Sequence, residues 1–217
     1  FRSVSQEFSP ELWNPVTGEI RYLPDFKSKK GYISLPVELE GNESAFIVFR
    51  KTNKVTEKKD NFPQKAIVYK IDTPWKITFE AGKRGPKTPV VWSQLKDWMD
   101  SENDSIKYFS GQAVYETTFT LEKLPQKSLY IDLGNVMVMA KVTLNGHYVG
   151  GVWINPYRLN VTDYLREGEN KLEITVVNNW QNRLIGDQRL PEDQRLTWTT
   201  INPWKADSSL QSSGLLG

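Results

Sequence analysis

The chain has no cysteine. That excludes disulfides, thiolate metal sites and a cysteine nucleophile, and leaves packing alone to supply stability. Histidine is almost as scarce. His147 is the only one in 217 residues, so a serine–histidine–acid triad would have to be built around it, and a site of several histidines is excluded by number. It directly follows Asn145-Gly146, a tight hairpin turn, where a side chain is exposed and its identity is incidental. No apolar run approaches the ~20 residues of a membrane span, and no signal-peptide pattern is present. The 28 basic residues are nearly matched by 26 acidic ones, a net charge of +2, so no strong field draws the chain to nucleic acid. The basic residues concentrated between Arg50 and Lys70 include Lys51, Lys54, Lys58, Lys59 and Lys65. Glu57 and Asp60 interrupt the run, which reads as a solvated connecting segment.

Chemistry is missing at the level of motifs as well. Lys83-Arg84-Gly85-Pro86-Lys87 lacks the spacing of a phosphate-cradling loop. No acidic residues follow EF-hand spacing, although the many oxygen donors leave calcium open. The 26 acids offer many carboxylate pairs, but none stands in an apolar setting that would raise its pKa for glycosidic acid catalysis. No catalytic residue is identified, and no cofactor is required.

What is present is strand patterning. At this length about 70% of the unfolded surface can be buried, and the 25% charged and 38% hydrophobic composition is that of a folded domain. Asn14-Pro15-Val16-Thr17-Gly18 marks a turn before Ile20–Leu23. Ile33, Leu35, Val37 and Leu39 alternate onto one face, with Pro36 pointing to an edge strand. Residues 40–44 then turn the chain into Ala45–Arg50, predicting a hairpin. After a polar boundary at 51–65, Trp75, Ile77 and Phe79 share a face. Val91–Met99 is expected to form a helical turn presenting Trp92, Leu95 and Trp98. Ala113, Tyr115, Thr117, Phe119 and Leu121 alternate with polar residues, as do Leu129, Ile131 and Leu133. Val142 and Leu144 lead into Asn145-Gly146, and Leu172, Ile174 and Val176 make the last clear strand. Asn160–Leu165 reads as a capped single helical turn. Many short strands with regular turns and no long amphipathic helix predict an all-β sandwich.

Two aromatic and polar segments carry the binding chemistry. Trp153, Asn155, Pro156, Tyr157 and Arg158 form one; Asn178, Asn179, Trp180, Gln181, Asn182 and Arg183 form the other. Flat aromatic rings stack on sugar C–H faces, and amide or guanidinium groups bridge adjacent hydroxyls. Trp153, Tyr157, Arg158 and Trp180 are therefore the candidate carbohydrate contacts. The competing reading is an internal Trp-Arg-Asn network, with Arg183 held in an ion pair within Ile185-Gly186-Asp187. Exposure separates the two. Sequons at Asn42, Asn103 and Asn160 bear only on a eukaryotic secretory host.

Lys141-Val142-Thr143-Leu144-Asn145-Gly146-His147-Tyr148-Val149-Gly150 resembles the strand–turn–strand of the sugar-binding domain of glycoside hydrolase family 2 proteins. Pro156–Thr162 and Gly168–Asn178 are similar to that domain's next two motifs, in order and at the expected spacing. The resemblance implies a galactose-binding-like jelly roll. A narrower one, to the C-terminal region of bacterial family 106 α-L-rhamnosidases, rests on Leu12–Ile20, Ile106–Gly111, Asp132–Gly134, Asn182–Asp187 and Ser213–Gly217. It implies that residues 1–70 are the last strands of a preceding, partial β-sandwich and 71–217 the jelly roll. It further implies an upstream catalytic domain as partner, a plant-type glycan as ligand, and a periplasmic or secreted location. Phe1 and Gly217 both look like ends cut from something longer. A purely structural sandwich without a ligand remains the alternative.

Overall fold

The computed structural model describes residues 1–2, 8–51, 59–62 and 64–217. They form two compact units, Phe1–Tyr69 and Lys70–Gly217.

In the first unit, β1 (Phe8–Trp13) pairs antiparallel with β2 (Ile20–Tyr22). The turn between them is built by Asn14, whose Oδ1 accepts from the Val16 and Thr17 amides at 2.9 and 3.1 Å. β3 (Lys27–Lys29) and β4 (Tyr32–Ser34) form a hairpin, and β5 (Phe46–Lys51) returns to β1, giving the order β2-β1-β5. The strand expected over 32–39 stops at Ser34, and β5 pairs with β1 rather than with it. Pro36 cannot donate to a ladder. Of the four alternating apolar residues only Ile33 is fully buried, while Val37 and Leu39 stay exposed. Part of the expected boundary at 51–65 lies outside the described residues, Lys54, Glu57 and Lys58 among them. Within its described part, Asn61 is buried, donating to the Asp25 carbonyl at 2.8 Å and accepting from the Asp25 amide at 2.9 Å. The described part of that stretch belongs to the first unit, which runs to Tyr69, and Asn61 is its buried residue.

The second unit runs through β6 (Trp75–Phe79), β7 (Val90–Trp92), the single turn α1 (Asp104–Lys107), β8 (Gln112–Leu121), β9 (Tyr130–Asp132) and β10 (Val136–Met137). It continues with β11 (Met139–Leu144), β12 (His147–Val152), β13 (Arg158–Asn160), β14 (Gly168–Val177), α2 (Gln181–Asp187) and β15 (Gly214–Leu215). Six strands form one antiparallel sheet in the order β12-β11-β14-β8-β6-β7. Its inner face carries the residues that the period-2 pattern assigns inward: Ile77 and Phe79, Ala113 through Leu121, Val142 and Leu144, Leu172 through Val176. The small pair β10-β15 contributes Val136 and Leu215 to the same core, and Leu133, just past β9, joins them. The result is the all-β sandwich that the strand pattern predicts. The helical turn expected over Val91–Met99 is instead a strand, β7, followed by one 3-10 turn at Trp98–Asp100, whose Met99 amide is capped by Asp97 at 3.0 Å.

Trp98 is the pivot of this core. It packs against Phe79 and Phe109 with ring centroids 5.4 and 5.5 Å away. Its indole Nε1 donates to the Tyr115 hydroxyl at 2.6 Å, and the Leu215 amide donates to the same oxygen at 3.4 Å. The C-terminal residues are threaded into this cluster. Asp97 accepts from the Ser213 amide at 2.9 Å and from the Ser212 hydroxyl, and Trp98 N donates to Ser213 O at 3.0 Å. Burial raises the Tyr115 hydroxyl well above its ordinary value. Because the folded value is the higher one, this group's stability contribution is intact below about pH 10 and is lost as pH climbs above it. Tyr115→Phe leaves two buried donors unmatched and should cost about 2–3 kcal/mol at neutral pH, read by urea unfolding. The variant should also lose less stability than the wild type between neutral and strongly alkaline pH; equal losses would remove Tyr115 from the alkaline transition.

Candidate functional site

The residues that carry the motif spacing do structural work. Asn145 and Gly146 both take positive φ, +52° and +83°, the tight hairpin form that this dipeptide favours. Asn145 Nδ2 donates to Tyr164 O and to Asn170 Oδ1, both at 2.9 Å, while its Oδ1 accepts from the Lys171 amide at 2.9 Å. Asn170 is wholly buried, donating to Arg166 O at 2.8 Å and accepting from the Arg166 amide at 3.0 Å. Thr162 Oγ1 accepts from the Leu129 amide at 2.8 Å and donates to Asn160 Oδ1 at 2.7 Å. These side chains satisfy backbone groups in loops that no ladder can reach. None is left to meet a ligand.

The strands that lead into the two aromatic segments, β12 and β14, finish at the same end of the six-stranded sheet. Val152, Ala140, Val176, Ala113 and Phe79 stand in register across β12, β11, β14, β8 and β6. Trp153 directly follows Val152, and Trp180 lies just past the end of β14. Two strand spacings separate β12 from β14, or roughly 10 Å. Trp153 is 56% exposed and Trp180 55%, far more than tryptophan in a core.

Tyr157 and Arg158 are placed differently. Tyr157 is partly buried against the core, and its carbonyl accepts from the Leu133 amide at 3.0 Å. Arg158 opposes Asp132 across β13-β9, its Nε 2.6 Å from Asp132 Oδ2. Its guanidinium is engaged by this carboxylate at the surface, across the β13-β9 pair.

The second segment divides in the same way. Asn179 and Trp180 are exposed, whereas every residue of α2 is buried. Asn178 Nδ2 donates to Phe109 O at 2.9 Å, and its Oδ1 accepts from the Gly111 amide at 3.0 Å. Arg183 and Asp187 form the expected ion pair at 2.8 Å, with side chains 8% and 1% exposed. Burial lowers the Arg183 guanidinium from its ordinary value, opposed by the charge of Asp187.

Elsewhere, a shallow depression of about 360 Å³ lies on the outer face of the large sheet, lined in part by Thr73, Pro74, Lys76, Glu116, Thr118 and Lys171. Glu116 bridges Lys76 at 3.1 Å and Lys171 at 3.2 Å, and the Lys76 hydrogen bond holds its carboxyl below the usual range. It holds no aromatic ring on which a sugar could stack. Among the described residues no group of three or more His, Cys, Asp or Glu is placed to hold a metal.

Sequence reasoning passed over one further feature, the stretch Leu196-Thr197-Trp198-Thr199-Thr200-Ile201-Asn202-Pro203-Trp204. It has no regular structure and displays Trp198 and Ile201. The available signal was nine successive uncharged residues holding two tryptophans.

Residues 92–210, more than half of the chain, match the family model described as "Glycosyl hydrolase 2 galactose-binding domain-like". The chain belongs to this family. Two relatives of the galactose-binding-like domain are much longer proteins. The rhamnosidase from Novosphingobium sp. PP1Y superposes with a TM-score of 0.86 at 35% identity, over 98% of this chain and 20% of its own. The "Putative beta-glucuronidase" of Formosa agariphila is 43% identical over 154 residues, 59% of this chain and 13% of its own. The chain thus spans a fifth or less of either relative.

Proposed function

We propose that this galactose-binding-like domain and the strands before it are a non-catalytic part of a longer glycoside hydrolase, and that the domain holds carbohydrate at the sheet end bearing Trp153 and Trp180. The observation that carries the reading is the exposure of both indoles beyond the same register row. An exposed indole keeps apolar area in water unless a ligand covers it, and a pyranose C–H face fits it. The lengths and names of the two relatives support attachment to a catalytic region acting on a rhamnoside or glucuronide. Tyr157 and Arg158 serve in this reading as supports that fix the loop carrying Trp153.

Calorimetric titration of the chain with L-rhamnose, D-glucuronate, galactose and plant oligosaccharides, with and without calcium, tests it. Saturable binding is expected, weakened about tenfold by Trp153→Ala and by Trp180→Ala, which corresponds to ~1.4 kcal/mol each. Unchanged melting of both variants would show the loss to be local. Silence across the panel would sink the binding claim and favour a purely structural domain. That second reading draws on the inward engagement of Asn145, Asn170 and Thr162.

A further inference from the structure

The segment after α2 is a loop clasped at both ends by one helix. Asp187 Oδ2 accepts from the Leu196 amide at 3.0 Å, the Thr197 amide at 2.8 Å and the Thr197 hydroxyl at 2.6 Å. Asn182 Nδ2 donates to Gln211 O at 2.6 Å, and its Oδ1 accepts from the Gln211 amide at 2.8 Å. Asn182 and Asp187 are five residues apart on α2, about 7.5 Å along its axis. Residues 198–210 therefore leave and return at neighbouring points, the geometry of an Ω-loop. Internal bonds shape it: Asn202 Oδ1 accepts from the Trp204 amide at 3.0 Å, and Ser208 Oγ accepts from the Lys205 amide at 2.9 Å.

An anchored loop of this kind displays an unusual surface. Trp198 is 82% exposed, Ile201 81% and Leu196 45%. No charged residue occurs from Leu196 to Trp204, while Glu192, Asp193 and Arg195 precede the stretch and Lys205 and Asp207 follow it. A charge-free centre with aromatic and aliphatic anchors inside a charged rim is the composition of a protein–protein interface core. A saccharide would gain from the indole but nothing from Ile201 or Leu196. The available protein surface is the one implied by length, since four-fifths or more of each relative lies outside the region this chain matches.

We infer that loop 198–210 is the docking element by which this domain seats on the catalytic region of its own longer polypeptide, with Trp198 and Ile201 as the anchors. This rests on the reading of the chain as part of a longer glycoside hydrolase. The buried polar clasp has a function in this arrangement: it orders the loop beforehand, so that docking does not have to bear the entropy of ordering it.

The test compares the 217-residue chain with the complete polypeptide that carries it, as wild type and as the Trp198→Ser/Ile201→Ser double variant. Hydrogen exchange of peptides covering 196–204 should be at least about tenfold slower in the complete polypeptide than in the isolated chain. The double variant should lower the melting midpoint of the complete polypeptide by roughly 5 °C and leave that of the isolated chain in place. Equal exchange in both contexts, with equal melting, overturns the inference. So does protection of the isolated chain that rises with its own concentration, which would assign the loop to a second copy, or protection induced by oligosaccharide, which would assign it to sugar. Sugar titration of the isolated double variant keeps the two claims apart. Loss of all sugar binding in the wild type would end the carbohydrate reading without touching the exchange result.

Discussion

Gly214→Ala should destabilise the second unit by about 3–5 kcal/mol. Two independent penalties meet at this position. Gly214 has a φ of +100°, a conformation that L side chains rarely adopt. A methyl group there would also lie 2.5 Å from Trp98 Nε1 and 2.8 Å from two of its ring carbons. The indole has no room to retreat, being fully buried between Phe79 and Phe109. Any shift would also strain its 2.6 Å hydrogen bond to Tyr115 and the β10-β15 pairing next to it. Gly146→Ala is the control. Its φ is +83°, but nothing lies within 4 Å of the added methyl, so only the backbone penalty of about 1 kcal/mol remains. Urea unfolding of both variants measures the difference. Similar losses at the two positions would mean that Trp98 is less tightly held than its packing indicates.

Asp187→Ala should cost a comparable 3–5 kcal/mol, for an electrostatic reason. It leaves the Arg183 guanidinium buried without its counter-charge, and it strips the acceptor from Leu196 and Thr197 at one end of the loop. The double variant Arg183→Met/Asp187→Leu separates these contributions. Removing both charges should recover much of the lost stability, because well-packed apolar residues replace a buried pair at little net cost. It should not restore the amide contacts at Leu196 and Thr197, so faster hydrogen exchange there would persist. If the double variant is no more stable than Asp187→Ala, the ion pair is not the source of the loss.

These two sites show where sequence reading stops. The inward face of β8 was legible because alternation over ten residues admits one assignment of faces. The Asn145-Gly146 hairpin was legible because the dipeptide favours the positive φ values its turn needs. The Arg183–Asp187 pair was legible as one of two competing readings, from the closeness of opposite charges in the chain, whereas the buried helix that sets its i, i+4 geometry was not. Strand partners were not legible. The 32–39 and 45–50 segments look like a hairpin in sequence, yet β5 takes a six-residue register with β1 instead. Of the four candidate contacts, nothing local distinguishes exposed Trp153 and Trp180 from Tyr157, packed on the core, and Arg158, paired to Asp132 twenty-six residues away.

The sequence by itself determined the class of this protein. Its alternating strands and turn dipeptides are properties of neighbouring residues and specify an all-β sandwich, and the resemblance of its three ordered motifs to a known family implied the galactose-binding-like kind. The absence of cysteine and the single histidine likewise remove whole categories of chemistry through composition alone. Only the tertiary structure decided which polar and aromatic side chains are spent inside the fold and which remain for a ligand or a partner. Burial is a sum over contacts distant in the chain, as where Ser213 meets Asp97 or Gln211 meets Asn182, and no window of neighbouring residues contains it.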